Sequence, residues 1–229
     1  MSPEFKADWE WLKTVDAKPM QWPCELEWLC EFVVEHKVSR YLEIGLRRGG
    51  SYYMVAKRLA EPGIAFGIDL PREVAETMRT NGAVPFSRRH FAEHICPPNG
   101  LQRVTDGLSR LENKCSRFWW LLDNSHSDFA LGMSTGYFIG RPVDLLFLDG
   151  DHSAEGVRDD FERYSPLVRS GGYVAFHDIG TTTQGRTRVE GEYERLGVKR
   201  LWTELKATHK TWERRRRQTV RGIGILEMP

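Results

Sequence analysis

Two short blocks of the 229-residue sequence carry side chains that can do chemistry: Asp149-Gly150-Asp151-His152-Ser153 and His177-Asp178. Each closes an apolar run, Val143 to Asp149 and Tyr173 to Asp178, so each stands where a strand gives way to a loop. In an open α/β sheet, ligands bind in the crevice beyond the carboxyl ends of the strands. Asp149, His152, His177 and Asp178 are therefore expected to share one crevice. Carboxylates held that close repel one another unless a proton or a cation joins them. A divalent ion is the simplest joining group, and carboxylate, imidazole and water ligands are compatible with Mg, Mn or Fe. The other reading of the same residues is a solvated acidic rim that holds no metal.

A third block, Glu43-Ile44-Gly45-Leu46-Arg47-Arg48-Gly49-Gly50-Ser51, follows the apolar run Tyr41 to Ile44. Gly45 and Gly49 would let the backbone pass close to a ligand, and Ser51 is placed to cap the helix that comes next. A Glu at the strand end would clash with a pyrophosphate. It suits the cationic methionine end of S-adenosylmethionine (SAM), whose ammonium and sulfonium need acidic or carbonyl partners. Asp69 ends a second apolar run about 20 residues past the glycines, the position from which an acid accepts hydrogen bonds from ribose hydroxyls. Asn124 and Ser125, in Asp123-Asn124-Ser125-His126-Ser127, are candidates for an adenine edge; the alternative is a turn of residues that favour local hydrogen bonds. Asp149 is expected to face the cofactor as well as the metal.

The elements that must position these residues alternate. Strands are expected at Tyr41–Ile44, Ile64–Asp69, Phe118–Leu122, Val143–Asp149 and Tyr173–Asp178, with helices at Ser51–Leu59 and Ala154–Val168, the latter ended by Ser170-Gly171-Gly172. That alternation predicts βαβ units and a mostly parallel sheet buried on both faces. Thr208–Trp212 and Gly222–Leu226, on either side of the charged run Glu213–Arg217, read as a closing antiparallel hairpin. The expected fold is thus α/β and Rossmann-like, with seven strands, over residues 39–229. Residues 1–38 form a helical, Trp-rich leader containing Trp9, Trp11 and a helix from Pro23 to Lys37, a candidate lid or homo-oligomer contact. Glu73 to Lys114 is the least regular stretch, read as helix, long loop and helix, with a basic patch at Arg88-Arg89-His90.

Composition narrows the class. Hydrophobic residues make up 40% and charged residues 28%, as in a soluble globular protein. A net charge of +1 gives no global attraction to nucleic acid or a membrane, and no apolar run is long enough to span one. The N-terminus lacks the apolar core of a signal peptide. Cys24, Cys30, Cys96 and Cys115 form no Cys-x-x-Cys pair and read as reduced, cytoplasmic thiols.

Together, Asp144 to Glu162 and Tyr164 to Ile179 resemble the macrocin O-methyltransferase and cephalosporin-hydroxylase type of family, methyltransferase family 24, related to the catechol O-methyltransferases. The resemblance spans about Tyr41 to Ile179, with a weaker echo in Gly222 to Leu226. It implies SAM as methyl donor and a divalent metal, Mg or similar, with Asp149, His177 and Asp178 as ligands. Many relatives carry an acid or an Asp-Asn pair at the second block, and the nitrogen of His177 weakens a preference for Mg. His152 lies three residues past Asp149, where catechol-type enzymes place a basic residue, and is the expected general base. It is also a candidate metal ligand or a loop histidine bonded to Asp151, and Asp151 itself is a candidate third ligand or outer partner. Metal and base together imply a small hydroxylated substrate with neighbouring oxygens, a sugar diol, a catechol or another natural product. The Asp/Asn-Pro-Pro-Tyr/Phe signature of N-methyltransferases is absent after the fourth strand. An NAD-dependent oxidoreductase would share the fold and Asp69, but Glu43 and the wide glycine spacing count against it. A non-catalytic SAM-fold module, binding a partner or nucleic acid through Arg214 to Arg217, would be expected to lose Asp149 and Asp178, and both are present.

Overall fold

The computed structural model describes residues 1–71, 117–180, 192–215 and 221–229, with the side chains of 192–196 excepted. The expected helix–loop–helix at Glu73 to Lys114, with its basic patch and Cys96, lies outside the described residues. So do Cys115 and the second half of the Arg214–Arg217 run.

Seven strands form one sheet: β1 (Arg40–Ile44), β2 (Ile64–Asp69), β3 (Arg117–Leu122), β4 (Val143–Leu148), β5 (Val168–His177), β6 (Thr211–Arg214) and β7 (Ile223–Glu227). Their order across the sheet is β3-β2-β1-β4-β5-β7-β6. β1 to β5 run parallel, and β7 pairs antiparallel with both β5 and β6. The Rossmann-like α/β sheet with a terminal hairpin is therefore as the alternation of runs predicts. Helices cover both faces. On one lie α1 (Pro3–Thr14), α2 (Pro23–Glu35) and α3 (Gly50–Ala56), packed over Tyr41, Leu145, Phe147 and Ile225. On the other lie α4 (Asp128–Tyr137), α5 (Ala154–Tyr164) and α6 (Glu192–Leu205), packed over Leu42, Phe66, Leu146 and Phe176. Successive side chains of a strand point to opposite faces, so Tyr41 and Leu42 feed different cores. Among the described residues no helix is long and apolar enough to cross a membrane.

Register decides where the site forms. Ile44 pairs with both Ile68 and Leu148, and Phe176 pairs with Leu148. Three backbone bonds beyond the strand ends extend that row: Gly45 N–H to the Ile68 carbonyl at 2.8 Å, Asp149 N–H to Ile44 at 2.9 Å and Asp123 N–H to Asp69 at 2.9 Å. Gly45, Asp69, Asp123, Asp149 and His177 thus lie along one edge.

Boundaries differ from expectation where local geometry overrides pattern. The helix at Ala154 stops at Tyr164, Pro166 lies in a short 3-10 turn, and β5 starts at Val168 and runs through Gly171-Gly172. Gly171 takes a positive φ of 66° while its N–H bonds to the Met228 carbonyl, so the glycines bend the strand and do not end it. α2 ends two residues before Lys37, which adopts φ 51°, a left-handed stop. The hairpin strands begin three residues and one residue later than expected, at Thr211 and Ile223. α1 buries Phe5, Trp9 and Leu12 in the same core as the sheet, and Asp8 ties it to Lys57 and Arg58 just past α3, at 2.6 and 2.9 Å.

Candidate active site

The loop from β1 to α3 is shaped by its own neighbours. Gly45 has φ 94°, and a Cβ there would lie 2.3 Å from the carbonyl oxygen of Asp149. Its lack of a side chain lets the glycine loop and the β4 loop close on each other. Gly49, at φ 76°, occupies the cap of α3, so Ser51 is not the cap as expected. The Ser51 hydroxyl donates instead to Glu43 Oε1 at 2.5 Å, while Tyr41 donates to Glu43 Oε2 at 2.6 Å. Glu43 is wholly buried, and burial pushes its carboxyl up to about 8 against the two hydrogen bonds. It underlies the loop and holds β1 to α3.

Asp69 stands beside the loop. Burial pushes it up to about 7, opposed by the backbone amides of Leu70 and Arg47. Past β3, the Asn124 side chain accepts the His126 N–H at 3.1 Å, and the Ser125 carbonyl accepts from Tyr164 at 2.6 Å. The local turn weighed for these residues is formed, and it places them one strand away from Asp69. His126 contacts Asp160 at 3.3 Å, which raises its pKa. A pocket of about 580 Å³ opens here, lined by His126, Asp151, Ser153, Glu155, Gly156 and Asp159.

The chemical residues converge at the ends of β4 and β5. His177 Nδ1 lies 2.8 Å from Asp149 Oδ1. His152 sits between the two acids, 3.4 Å from Asp149 and 3.6 Å from Asp178. His177 and Asp178 are both about 4% exposed. Burial alone would lower the His177 pKa, but Asp149 and Asp178 lift it to about 9. His152 is shifted the same way, since its two carboxylate partners outweigh burial. The two imidazoles in turn hold Asp149 well below the usual carboxylate range in spite of its burial. As an expected general base His152 thus has two neighbouring acids that favour its imidazolium over the neutral ring. Asp178 carries φ 59°, an uncommon conformation for a non-glycine residue. Asp151 does not join this set. It is exposed and accepts the Ser153 N–H at 2.8 Å at the start of α5.

Some members were not foreseen. Gln21 donates to Asp149 Oδ2 at 2.5 Å. Glu25 of α2 is fully buried, its oxygens have no hydrogen-bond partner within ordinary distance among the described residues, and burial raises its pKa against the pull of His177 and the Trp22 backbone. Glu25 lies four residues before Leu29 on the apolar stripe of α2, an anomaly visible in the sequence; Gln21 left no such trace. Gly50 packs under the Ala17 carbonyl, and Gly197 of α6 packs against the His152–Ala154 backbone. Among the described residues, no three His, Cys, Asp or Glu groups are spaced as a ready-made metal ligand set. Among those residues, His177 Nε2, Asp178 Oδ1 and the Glu25 oxygens nevertheless have no hydrogen-bond partner, although Asp178 Oδ1 lies 3.5 Å from His177 Nδ1. Buried, unsatisfied carboxylate and imidazole atoms have the donor chemistry that a divalent cation takes.

Comparison with known proteins gives the family and the fold. A curated, uncharacterised protein of Acanthamoeba polyphaga mimivirus is 47% identical over 36 residues, 16% of this chain and 16% of that protein's length. A candidate caffeoyl-CoA O-methyltransferase of Staphylococcus aureus superposes with a TM-score of 0.65 at 14% identity, covering 100% of this chain and 93% of its own. An O-methyltransferase of Bacillus cereus, solved with S-adenosylhomocysteine (SAH), gives 0.59 at 14% identity, covering 100% and 92%. An O-methyltransferase of Streptomyces achromogenes involved in tomaymycin synthesis, solved with SAM, gives 0.56 at 15% identity, covering 100% and 90%. At these identities the likeness speaks for the fold. The profile of a methyltransferase domain, family 24, matches residues 42–179, well over half of the chain and the stretch that holds the glycine loop, Asp69, Asp149 and Asp178. The chain therefore belongs to methyltransferase family 24, built on the class I fold of the SAM-dependent enzymes.

Proposed function

We propose that the protein is a SAM-dependent O-methyltransferase acting on a small hydroxylated acceptor with neighbouring oxygens. The observation that carries this reading is one sheet edge with the Gly45–Gly49 loop and Asp69 on one side and Asp149, His152, His177 and Asp178 on the other. On this reading Asp69 receives the ribose hydroxyls, and the loop turn at Asn124 and Ser125 borders the adenine. Glu43 and Ser51 act from beneath, by fixing the loop. Gly45 brings the Asp149 backbone against the cofactor loop, which is how Asp149 serves both halves of the site.

Methyl transfer is an in-line displacement. The acceptor oxygen forms a bond to the methyl carbon as the carbon–sulfur bond breaks, and the electron pair stays on sulfur to give SAH. The acceptor's proton must leave. On this reading His152 takes it, and Asp149 and Asp178, at 3.4 and 3.6 Å from its ring, stabilise the imidazolium that results. Because the same acids favour protonation, the active neutral imidazole grows as pH rises. A divalent cation, if bound, would draw on the open His177 Nε2 and Asp178 Oδ1, with Asp149 a ligand only by giving up one of its present contacts, and would make a coordinated hydroxyl more acidic.

The reading is tested by calorimetry with SAM, SAH and NAD, followed by SAH release assays over catechols and sugar diols. SAM and SAH should bind, and at least one diol class should be methylated. Tight NAD binding without SAM binding would overturn the proposal.

A further inference from the structure

The segment between α1 and α2, residues 15–22, lies outside the matched methyltransferase stretch yet crosses its active edge. Asp16 pairs with Arg48 of the glycine loop. The Ala17 carbonyl and Pro19 pack on Gly50 so closely that a Cβ there would sit 2.1 Å from the carbonyl oxygen. The Met20 carbonyl accepts from Arg221 at 2.7 Å, and the Arg221 guanidinium lies over the Trp22 ring at 5.6 Å. Held at these points, the segment delivers one side chain, Gln21, which is 4% exposed, to Asp149.

Asp149 has two carboxylate oxygens, and the structure fills both. Oδ1 faces His177 and His152; Oδ2 takes the Gln21 amide N–H. With one oxygen tied to β5 and the other to the strap, the carboxylate plane cannot rotate without breaking a buried bond. The rest of the amide argues against a purely structural part. Gln21 Oε1 is buried and has no hydrogen-bond partner among the described residues. A side chain selected for fold stability would not leave half of a buried amide unsatisfied.

We propose that Gln21 is a positioning residue: the strap supplies it so that Asp149 presents a fixed carboxylate face to the bound small molecules. The inference deepens the methyltransferase reading and rests on it for the word positioning, but its central contact is testable without turnover. The hydrogen-bonded His177 ring N–H should give a downfield proton resonance, assigned by its loss in His177→Gln. Gln21→Met fills the same volume without a donor, and Gln21→Glu keeps the shape but turns a carboxylate towards Asp149. Both should shift or broaden that resonance. With SAM and a catechol probe, 3,4-dihydroxybenzoate, Gln21→Met should lower kcat about tenfold, with the SAM KM and the SAH affinity within twofold of wild type. Gln21→Glu should lower kcat further. Thermal midpoints and SAH calorimetry confirm that each variant is folded. An unchanged His177 resonance in both folded variants overturns the proposal, as does a wild-type kcat in Gln21→Met. If the wild type neither binds SAM nor turns over, the methyltransferase reading fails, while the resonance still decides the role of Gln21.

Discussion

Glu43 and the Asp149–Asp178 pair occupy neighbouring strand ends, and both are buried, yet they are built on opposite rules. Each oxygen of Glu43 is closed by a hydroxyl of its own chain, and burial leaves it near 8, neutral at pH 7. Asp149 is held ionised by two imidazoles, and around it Glu25, His177 and Asp178 keep polar atoms with no hydrogen-bond partner among the described residues. On the proposed reading, the difference separates support from site. A buried acid whose bonds are all internal stiffens a loop; a buried charged set with open atoms has room for a ligand's charge. The carboxyls also differ in what would break them, and that gives a ranking of experiments.

The largest effect is expected at the seam between the two regions. Gly45→Val puts a branched side chain into the Asp149 backbone at a residue with φ 94°. Both halves should fail together, with SAH binding lost, methyl transfer below about 1% of wild type and a destabilisation of several kcal/mol. Calorimetry and thermal unfolding check this. A variant that binds SAH normally would show that the loop and the β4 end are independent.

Next come the charged residues. His152→Ala should lower methyl transfer about 100- to 10,000-fold with SAH affinity nearly unchanged, as for loss of a general base. The sign of the pH dependence follows from its raised pKa: the wild-type rate should climb through a limb above pH 6.5 that vanishes in the variant. Asp149→Asn, or excess chelator, should abolish transfer while SAM still binds. Full activity in chelator would rule out a metal requirement and leave the two imidazoles as the local cations.

How far the sequence alone led follows the same division. The sheet was legible because buried parallel strands are near-continuous apolar runs, and the family blocks sit at their ends. Asp149, His152, His177 and Asp178 were legible because strand ends in such a sheet share one edge. α4 was not, since Asp128–Tyr137 buries only Ala130 and Ser134 and shows no apolar stripe. α6 was missed despite Val198, Leu201, Trp202 and Leu205 at helical spacing. Ser51 was misassigned because a glycine in the left-handed region displaced it from the cap and Glu43 took its hydroxyl. Gln21 was invisible, since its importance lies in a contact 128 residues away.

Asp69 tests the cofactor half by itself. Asp69→Ala should weaken SAH by roughly 1.5–3 kcal/mol, about 10- to 150-fold, the loss of a charged hydrogen bond. In the free protein this carboxyl sits near 7, so below that pH it is largely protonated, and binding that needs the carboxylate must expel the proton. Wild-type affinity should therefore fall as pH drops from 8 to 6, and the variant should lose that slope. A flat wild-type profile would mean that the ribose is held elsewhere.

The smallest effect on cofactor binding belongs to Glu43→Gln. Near neutral pH the wild-type side chain is already uncharged, so an amide of the same shape can keep the contacts with Tyr41 and Ser51 once their hydroxyls reorient. SAH affinity should stay within about threefold, whereas direct contact with the cofactor's ammonium would cost a charged hydrogen bond's 1.5–3 kcal/mol, roughly ten-fold or more. Stability should change instead, and its sign is fixed. The folded carboxyl sits near 8 against an ordinary 4.5, so between those values the folded state keeps a proton that the unfolded chain has released. Stability from this group is present at low pH and is lost as pH rises through 8. The wild-type Tm should decline between pH 5 and 9, and Glu43→Gln should decline less, with an advantage of about 5 °C at pH 9 and little at pH 5. Parallel Tm profiles for the two proteins would mean that Glu43 is ionised in the fold and belongs with the charged half of the site.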